Sequence, residues 1–205
     1  MKYLITGMNG GLGNALSENL KRNGHECVAW QHFDPIMPEG IFDAIIHLAG
    51  KEALLPLKLG TRAAMDDIFT SVHMLVKILA FAAKGGVQPG GSIIVMSSVA
   101  AVCGTSGMSL YSGAKGAMES MVRSAAIELA PQSIRINAIR AGGFLSPMHY
   151  RIAEKIGEKP TETYMKKHPI GIGDAWAVIG AIKFLLENDW STGSILTVDG
   201  GYSAQ

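Results

Sequence analysis

"KYLITGMNGGLGNALSENLKRNG", residues 2–24, moves from a short β-prone apolar stretch through a cluster of glycines into helix-forming residues that stop at Gly24. A strand over 2–6 that turns sharply into a helix is how a βαβ nucleotide-binding unit begins. Glycines at Gly7, Gly10, Gly11 and Gly13 allow a tight turn, close approach of backbone to a pyrophosphate, and packing of helix on strand. The helix start adds unpaired N–H groups and a partial positive charge, which together favour phosphate.

Downstream the same alternation continues. "ECVAW" (26–30), "FDAIIHLAG" (42–50), "GSIIVMSS" (91–98), "SIRINAI" (133–139) and "GSILTVDGG" (193–201) read as strands. Between them, residues 61–86, 109–131 and 173–188 carry helical periodicity. Apolar strands alternating with helices predict an α/β fold, a Rossmann-type doubly wound parallel sheet covered on both faces. There are no repeats, linkers or low-complexity tracts, so residues 1–205 read as a single domain, with a polar lid at about 146–170.

One interval constrains the topology. Only residues 31–43 separate Trp30 from Ala44, and they include Pro35, Pro38 and Gly40. A crossover with its helix needs at least about 10–12 residues. The gap therefore cannot hold two crossovers and a strand. In a fold of strand order 3-2-1-4-5-6, six strands are expected, with strand 3 missing or vestigial.

Composition narrows the partners. Apolar residues make up 48% of the 205, charged residues 17%, and the formal net charge is +1. With no basic run, nucleic acid and anionic membrane are disfavoured as partners. No apolar stretch reaches the roughly 18 residues of a membrane span. Cys27 and Cys103 are the only cysteines and lack a pairing or metal pattern, which places the chain in a reducing cytoplasm. The six histidines, at 25, 32, 47, 73, 149 and 168, have no ligand spacing, so no metal site is expected.

"LYSGAKGAMESM", residues 110–121, sets Tyr111 four positions ahead of Lys115 among small side chains. On a helix the two share a face. A free phenol with a pKa near 10 is a poor acid or base at neutral pH. A nearby ammonium favours the phenolate and is expected to lower that value. Ser97 and Ser98 stand at the carboxyl end of an apolar strand, where open α/β sheets bind ligands. Gln31 falls at the end of the second strand, where an acidic residue would favour NAD, with His32 and Asp34 nearby. The choice between NAD and NADP stays open.

In order along the chain, "TGMNGGLG", "HLAG", Ser98, "YSGAK", "SIRINAI" and "STGSILTVDGGY" resemble the motifs of the short-chain dehydrogenases/reductases from Lys2 to Tyr202. The resemblance implies an NAD(P)-dependent oxidoreductase moving hydride between nicotinamide and a secondary alcohol or ketone of a small molecule. It implies that Tyr111 is the general acid/base, that Lys115 tunes it and holds the nicotinamide ribose, and that Ser98 binds the substrate oxygen. The dinucleotide would lie along Gly7, Asn9, Gly11, Leu12, Gly13, Gln31, Ala49, Gly50, Gly142 and Ser146. A homodimer or homotetramer is also implied. A catalytically weak dinucleotide sensor or scaffold, and a pterin-type reductase, are the alternatives.

The chain departs from the family pattern at several points. Ser71, beside Thr70, replaces the helix asparagine that supports a proton relay, and His47 replaces the first asparagine of N-N-A-G. Ala141-Gly142 stands for the usual Pro-Gly. Arg140 reads as a surface ion-pair partner, or else as a contact for an acidic substrate group. Cys103, Met108 and Met148 are expected to border the pocket, and Trp176 and Trp190 to serve as core or interface anchors.

Overall fold

The computed structural model describes residues 1–32, 34, 36–51 and 54–205. Six strands, β1 (Lys2–Thr6), β2 (Glu26–Trp30), β3 (Phe42–His47), β4 (Val87–Ser98), β5 (Arg135–Ala141) and β6 (Ile195–Val198), form one sheet in the order β2-β1-β3-β4-β5-β6. Every pairing is parallel. The expected outermost strand is absent among the described residues. The chain between Trp30 and Phe42 holds neither helix nor strand there, and β2 ends the sheet.

Seven α-helices accompany the strands among the described residues. They are α1 (Gly11–Arg22), α2 (Arg62–Ile68), α3 (Thr70–Phe81), α4 (Ser109–Leu129), α5 (Pro147–Ile156), α6 (Glu158–Lys166) and α7 (Ala175–Glu187). Strand side chains alternate between the faces, as the two-residue period requires. Leu4, Ile45, Ile93 and Ile136 join α3 and α4 in one core. Their neighbours Ile5, Ile46 and Ile94, with Ile139, join α1 and α7 in the other. All eight are fully buried, which is why these strands read as continuous apolar runs rather than alternating ones.

The helix expected over 61–86 is broken. α2 and α3 meet at Phe69 with a 49° bend. Thr70 Oγ1 donates back to the Asp66 carbonyl at 3.2 Å, a back-bond that bends helices. Among the described residues no single helix is long and apolar enough to cross a bilayer.

The "SIRIN" motif acts as a clasp where β5 and β6 begin, at the opposite end of the strands from Ser98. Asn137, fully buried, donates to the Ser191 carbonyl at 2.7 Å and accepts from the Ser194 N–H at 3.0 Å. Arg135 donates to the Leu185 and Leu186 carbonyls at 2.9 and 3.1 Å, satisfying the open end of α7. Trp176 and Trp190 are not core residues: they are 55% and 94% exposed on the single chain.

Candidate active site

Ser98 and Ala141 are register partners, so β4 and β5 end side by side. Directly after β4 the chain enters a single 3-10 turn, Val99–Ala101, whose Ala100 N–H is accepted by Ser98 Oγ at 3.2 Å. That cap uses a lone pair of the hydroxyl, whose proton faces Tyr111 at the strand mouth. Ser97, the other serine the sequence offers, is buried and donates to Glu119 Oε1 at 2.8 Å.

Tyr111, Lys115 and Glu119 follow one another at four-residue steps on α4 and share a face. Lys115 is buried, and its Nζ donates to the Met96 carbonyl at 2.7 Å while lying 5.6 Å from the centre of the Tyr111 ring. Burial pulls the ammonium down to about 8. Glu119 accepts from Arg140 Nε at 2.9 Å and Nη2 at 2.6 Å. Thus Arg140 is neither a loose surface ion pair nor a free substrate contact. It is a partly buried fork that, with Ser97, holds α4 on β4 and β5.

The direction of the Tyr111 shift is opposite to the one expected from the helix spacing. Desolvation raises its pKa, and a hydrogen bond with the Ser98 side chain offsets this only in part. The ammonium is engaged by the Met96 carbonyl rather than by the phenol oxygen, so in this state it does not outweigh burial. The phenol is therefore fully protonated at neutral pH.

His47 lies behind the lysine, buried at 1% exposure. Its Nδ1 is 2.7 Å from Thr6 Oγ1, and its Nε2 is 2.9 Å from the Ser71 carbonyl. Thr6 Oγ1 also accepts the Ala49 N–H at 3.1 Å. A carbonyl can only accept, so the proton sits on Nε2, and Nδ1 accepts from Thr6. Burial and the Lys115 charge push the imidazole down to about 4. It is a neutral strut from β1 to α3.

At the other end of the cleft, Gly7 adopts φ +71°, and a Cβ there would meet Ala49 N at 2.9 Å. A Cβ on Gly13 would lie 2.2 Å from the Gly7 carbonyl oxygen. Asn9 and Gly11 are exposed at the turn, and Leu12 packs on the α1–α7 core. A Cβ on Gly50 would come 3.3 Å from Lys115 Nζ, and one on Gly142 would come 2.7 Å from Asp199 Cα. Gln31 Nε2 is buried without a hydrogen-bond partner, while the Gln31 backbone N–H is taken by Asp34 Oδ2 at 2.8 Å. An orphaned donor at the end of β2, beside a glycine cradle that rejects side chains, fits a dinucleotide with its ribose at Gln31.

Within residues 146–170 lie two short helices, α5 and α6. Ser146 caps α5 by accepting the His149 N–H at 3.2 Å, and Gly157, at φ +84°, separates α5 from α6. Pro147 rests on the glycine turn, where a Cβ on Gly11 would meet its Cδ at 2.5 Å. Glu119, Thr6 and Met96 were not singled out by sequence reasoning. Only Glu119 leaves a trace there, as the next four-residue step after Tyr111 and Lys115.

A family model described as Enoyl-(Acyl carrier protein) reductase matches residues 38–203. A rat 3-oxoacyl-[acyl-carrier-protein] reductase is 28% identical over 94% of this chain and 78% of its own length. A zebrafish carbonyl reductase family member 4 is 32% identical over 79% of this chain and 66% of that protein. The bovine and human 3-oxoacyl reductases are matched over about half of their own length, 46% each. Among solved structures, a small-chain dehydrogenase in complex with NADPH shares the fold at a TM-score of 0.85 and 21% identity, covering all of this chain and 99% of that one. A 4-hydroxyisoleucine dehydrogenase complexed with NADH does so at 0.84 and 16%, with the same coverage of both chains. The chain belongs to the short-chain dehydrogenase/reductase family of NAD(P)-dependent oxidoreductases.

Proposed function

We propose that the chain reduces a ketone to a secondary alcohol, with Ser98, Tyr111 and Lys115 as its catalytic residues. The observation that carries this is a protonated phenol beside a serine hydroxyl at the joint end of β4 and β5. Ser98 donates to the substrate carbonyl oxygen. Tyr111 passes its proton to that oxygen as negative charge develops, and Lys115 stabilises the phenolate left behind. When bound, the nicotinamide supplies the hydride. Gly7, Asn9, Gly11, Leu12 and Gly13 would hold the phosphates, Gln31 the adenosine ribose, Ala49 and Gly50 the adenosine side, and Lys115, Gly142 and Ser146 the nicotinamide half.

The relatives named as 3-oxoacyl and carbonyl reductases support a ketone with an apolar arm. A cleft of about 210 Å³ between Leu54, Leu55, Ile68 and Ile152 has room for that arm. Leu55 and Tyr111 both pack against the cluster of Ile68 and Ala114, which sets the cleft beside the start of α4. The chain is read as one domain, with residues 146–170 as the lid over that cleft. Cys27 and Cys103 are both free thiols, which supports a cytoplasmic location. Ile127, 76% exposed on α4, and an apolar groove of about 440 Å³ between α3 and α4 support a homodimer or homotetramer.

Loss of nicotinamide absorbance on mixing the protein with NADPH or NADH and a panel of ketones tests the reading. Tyr111→Phe should lower turnover at least about 1,000-fold while leaving cofactor affinity within about twofold. Unchanged turnover would remove Tyr111 from its role. One feature favours a weaker catalyst: the Ser71 carbonyl, at the family's relay position, is occupied by His47. Tight cofactor binding with no ketone reduced would select that reading.

A further inference from the structure

Tyr164 on α6 brings a second phenol to the site. Its ring lies against Gly143, where a Cβ would meet Tyr164 Cε1 at 2.8 Å and its hydroxyl oxygen at 2.9 Å. Gly143 is two residues past Ala141, the register partner of Ser98. The ring is held from behind by His168 and Tyr202, with centroids 5.1 and 5.8 Å away. His168 is itself locked, accepting the Gly143 N–H on Nε2 at 2.9 Å with Nδ1 3.2 Å from the Tyr164 carbonyl. Everything about the ring is fixed, yet its hydroxyl makes no hydrogen bond among the described residues. Burial, with Tyr202 and Tyr111 adding to it, pushes the phenol up to about 12, so it stays a donor.

Resting on the ketone-reductase reading, we infer that Tyr164 is a specificity-determining residue that binds a second oxygen of the substrate, one carried near the carbonyl that Ser98 and Tyr111 receive. The substrate class is then an α- or β-oxygenated ketone rather than a simple one. A rigid donor favours the ligand that carries the matching oxygen, because an analogue lacking it takes the hydroxyl from water and returns no hydrogen bond.

Binding to the protein saturated with NADP⁺ or NAD⁺ tests this without turnover, because a ketone cannot be reduced by the oxidised cofactor. Calorimetry would compare methyl acetoacetate with hexan-2-one, and 3-hydroxybutan-2-one with butan-2-one. The wild type should bind the oxygenated member of at least one pair about tenfold more tightly, and Tyr164→Phe should erase the difference. Gly143→Ala, which displaces the ring, should erase it too. Equal affinities in the wild type, or a preference that survives in Tyr164→Phe, overturns the inference. Failure of the wild type to reduce any ketone with NADPH or NADH would instead count against the catalytic reading, leaving the binding result to stand alone.

Discussion

Lys115 crosses the helix–sheet interface to the carbonyl of Met96, two residues before Ser98. One strand therefore presents the serine and also anchors the cation below the tyrosine. Holding that charge out of water has a cost. With its pKa brought from 10.5 to about 8, the unfolded chain binds more protons than the folded one between those values, so stability rises with pH across that window, by about 3 kcal/mol in all. Lys115→Met should lose this rise in urea denaturation series at pH 7 and pH 10. The same variant should lose at least about 100-fold in turnover, and wild-type activity should decline above about pH 8 as the ammonium is lost.

His47 yields the complementary prediction on the acid side. Its folded pKa of about 4 lies below the ordinary 6.5, so the unfolded chain takes up the proton first and stability falls as pH drops from 6.5 to 4. Between pH 7 and pH 5 the loss should be about 2 kcal/mol. His47→Asn should flatten that part of the profile, measured by urea midpoints at both pH values. An unchanged slope would show that other groups govern acid unfolding.

The Glu119–Arg140 fork offers a test of how the helix is positioned. Glu119→Gln leaves the guanidinium without its charge partner and should destabilise the protein by roughly 2–3 kcal/mol, less than a fully buried pair because Arg140 keeps 19% of its side-chain exposure. Because the fork lies one turn beyond Lys115 on α4, kcat should fall more than KM rises. Thermal melts and steady-state kinetics on one preparation separate the two effects.

Glycine substitutions should sort by geometry. Gly13→Ala places a methyl 2.2 Å from the Gly7 carbonyl oxygen, and should weaken NADH or NADPH binding at least about tenfold in a fluorescence titration. Gly180→Ala, on α7 with nothing within 4 Å of the new Cβ, should leave cofactor binding alone and stabilise by about 0.5–1 kcal/mol.

The strands and the glycine turn after β1 were legible because their signals are local. Leu4-Ile5, Ile45-Ile46 and Ile93-Ile94 are apolar at both positions since each member feeds a different core, and 13 residues cannot hold two crossovers. The tyrosine–lysine face was legible for the same reason, through helical spacing. What spacing cannot report is competition among partners. Lys115 is adjacent to Tyr111 along α4, but only the fold reveals that Met96 takes its proton donor and that burial dominates the phenol. Arg140 meets Glu119, and Tyr164 meets Gly143, across 21 positions, and Thr6 meets His47 across 41, where sequence pattern carries no distance information.

The bare outer edge at β2 divides the molecule by task. Every side chain that would touch the reacting carbonyl comes from β4, α4 or the segments after β5, on the far half of the sheet. Under the proposed roles, the short chain between Trp30 and Phe42 leaves bond making untouched and thins only the wall around the adenosine end. With the adenosine ribose at Gln31 as proposed, discrimination between the two forms of the dinucleotide falls on that residue and its immediate neighbours, a much smaller set of contacts than a full-width sheet would supply.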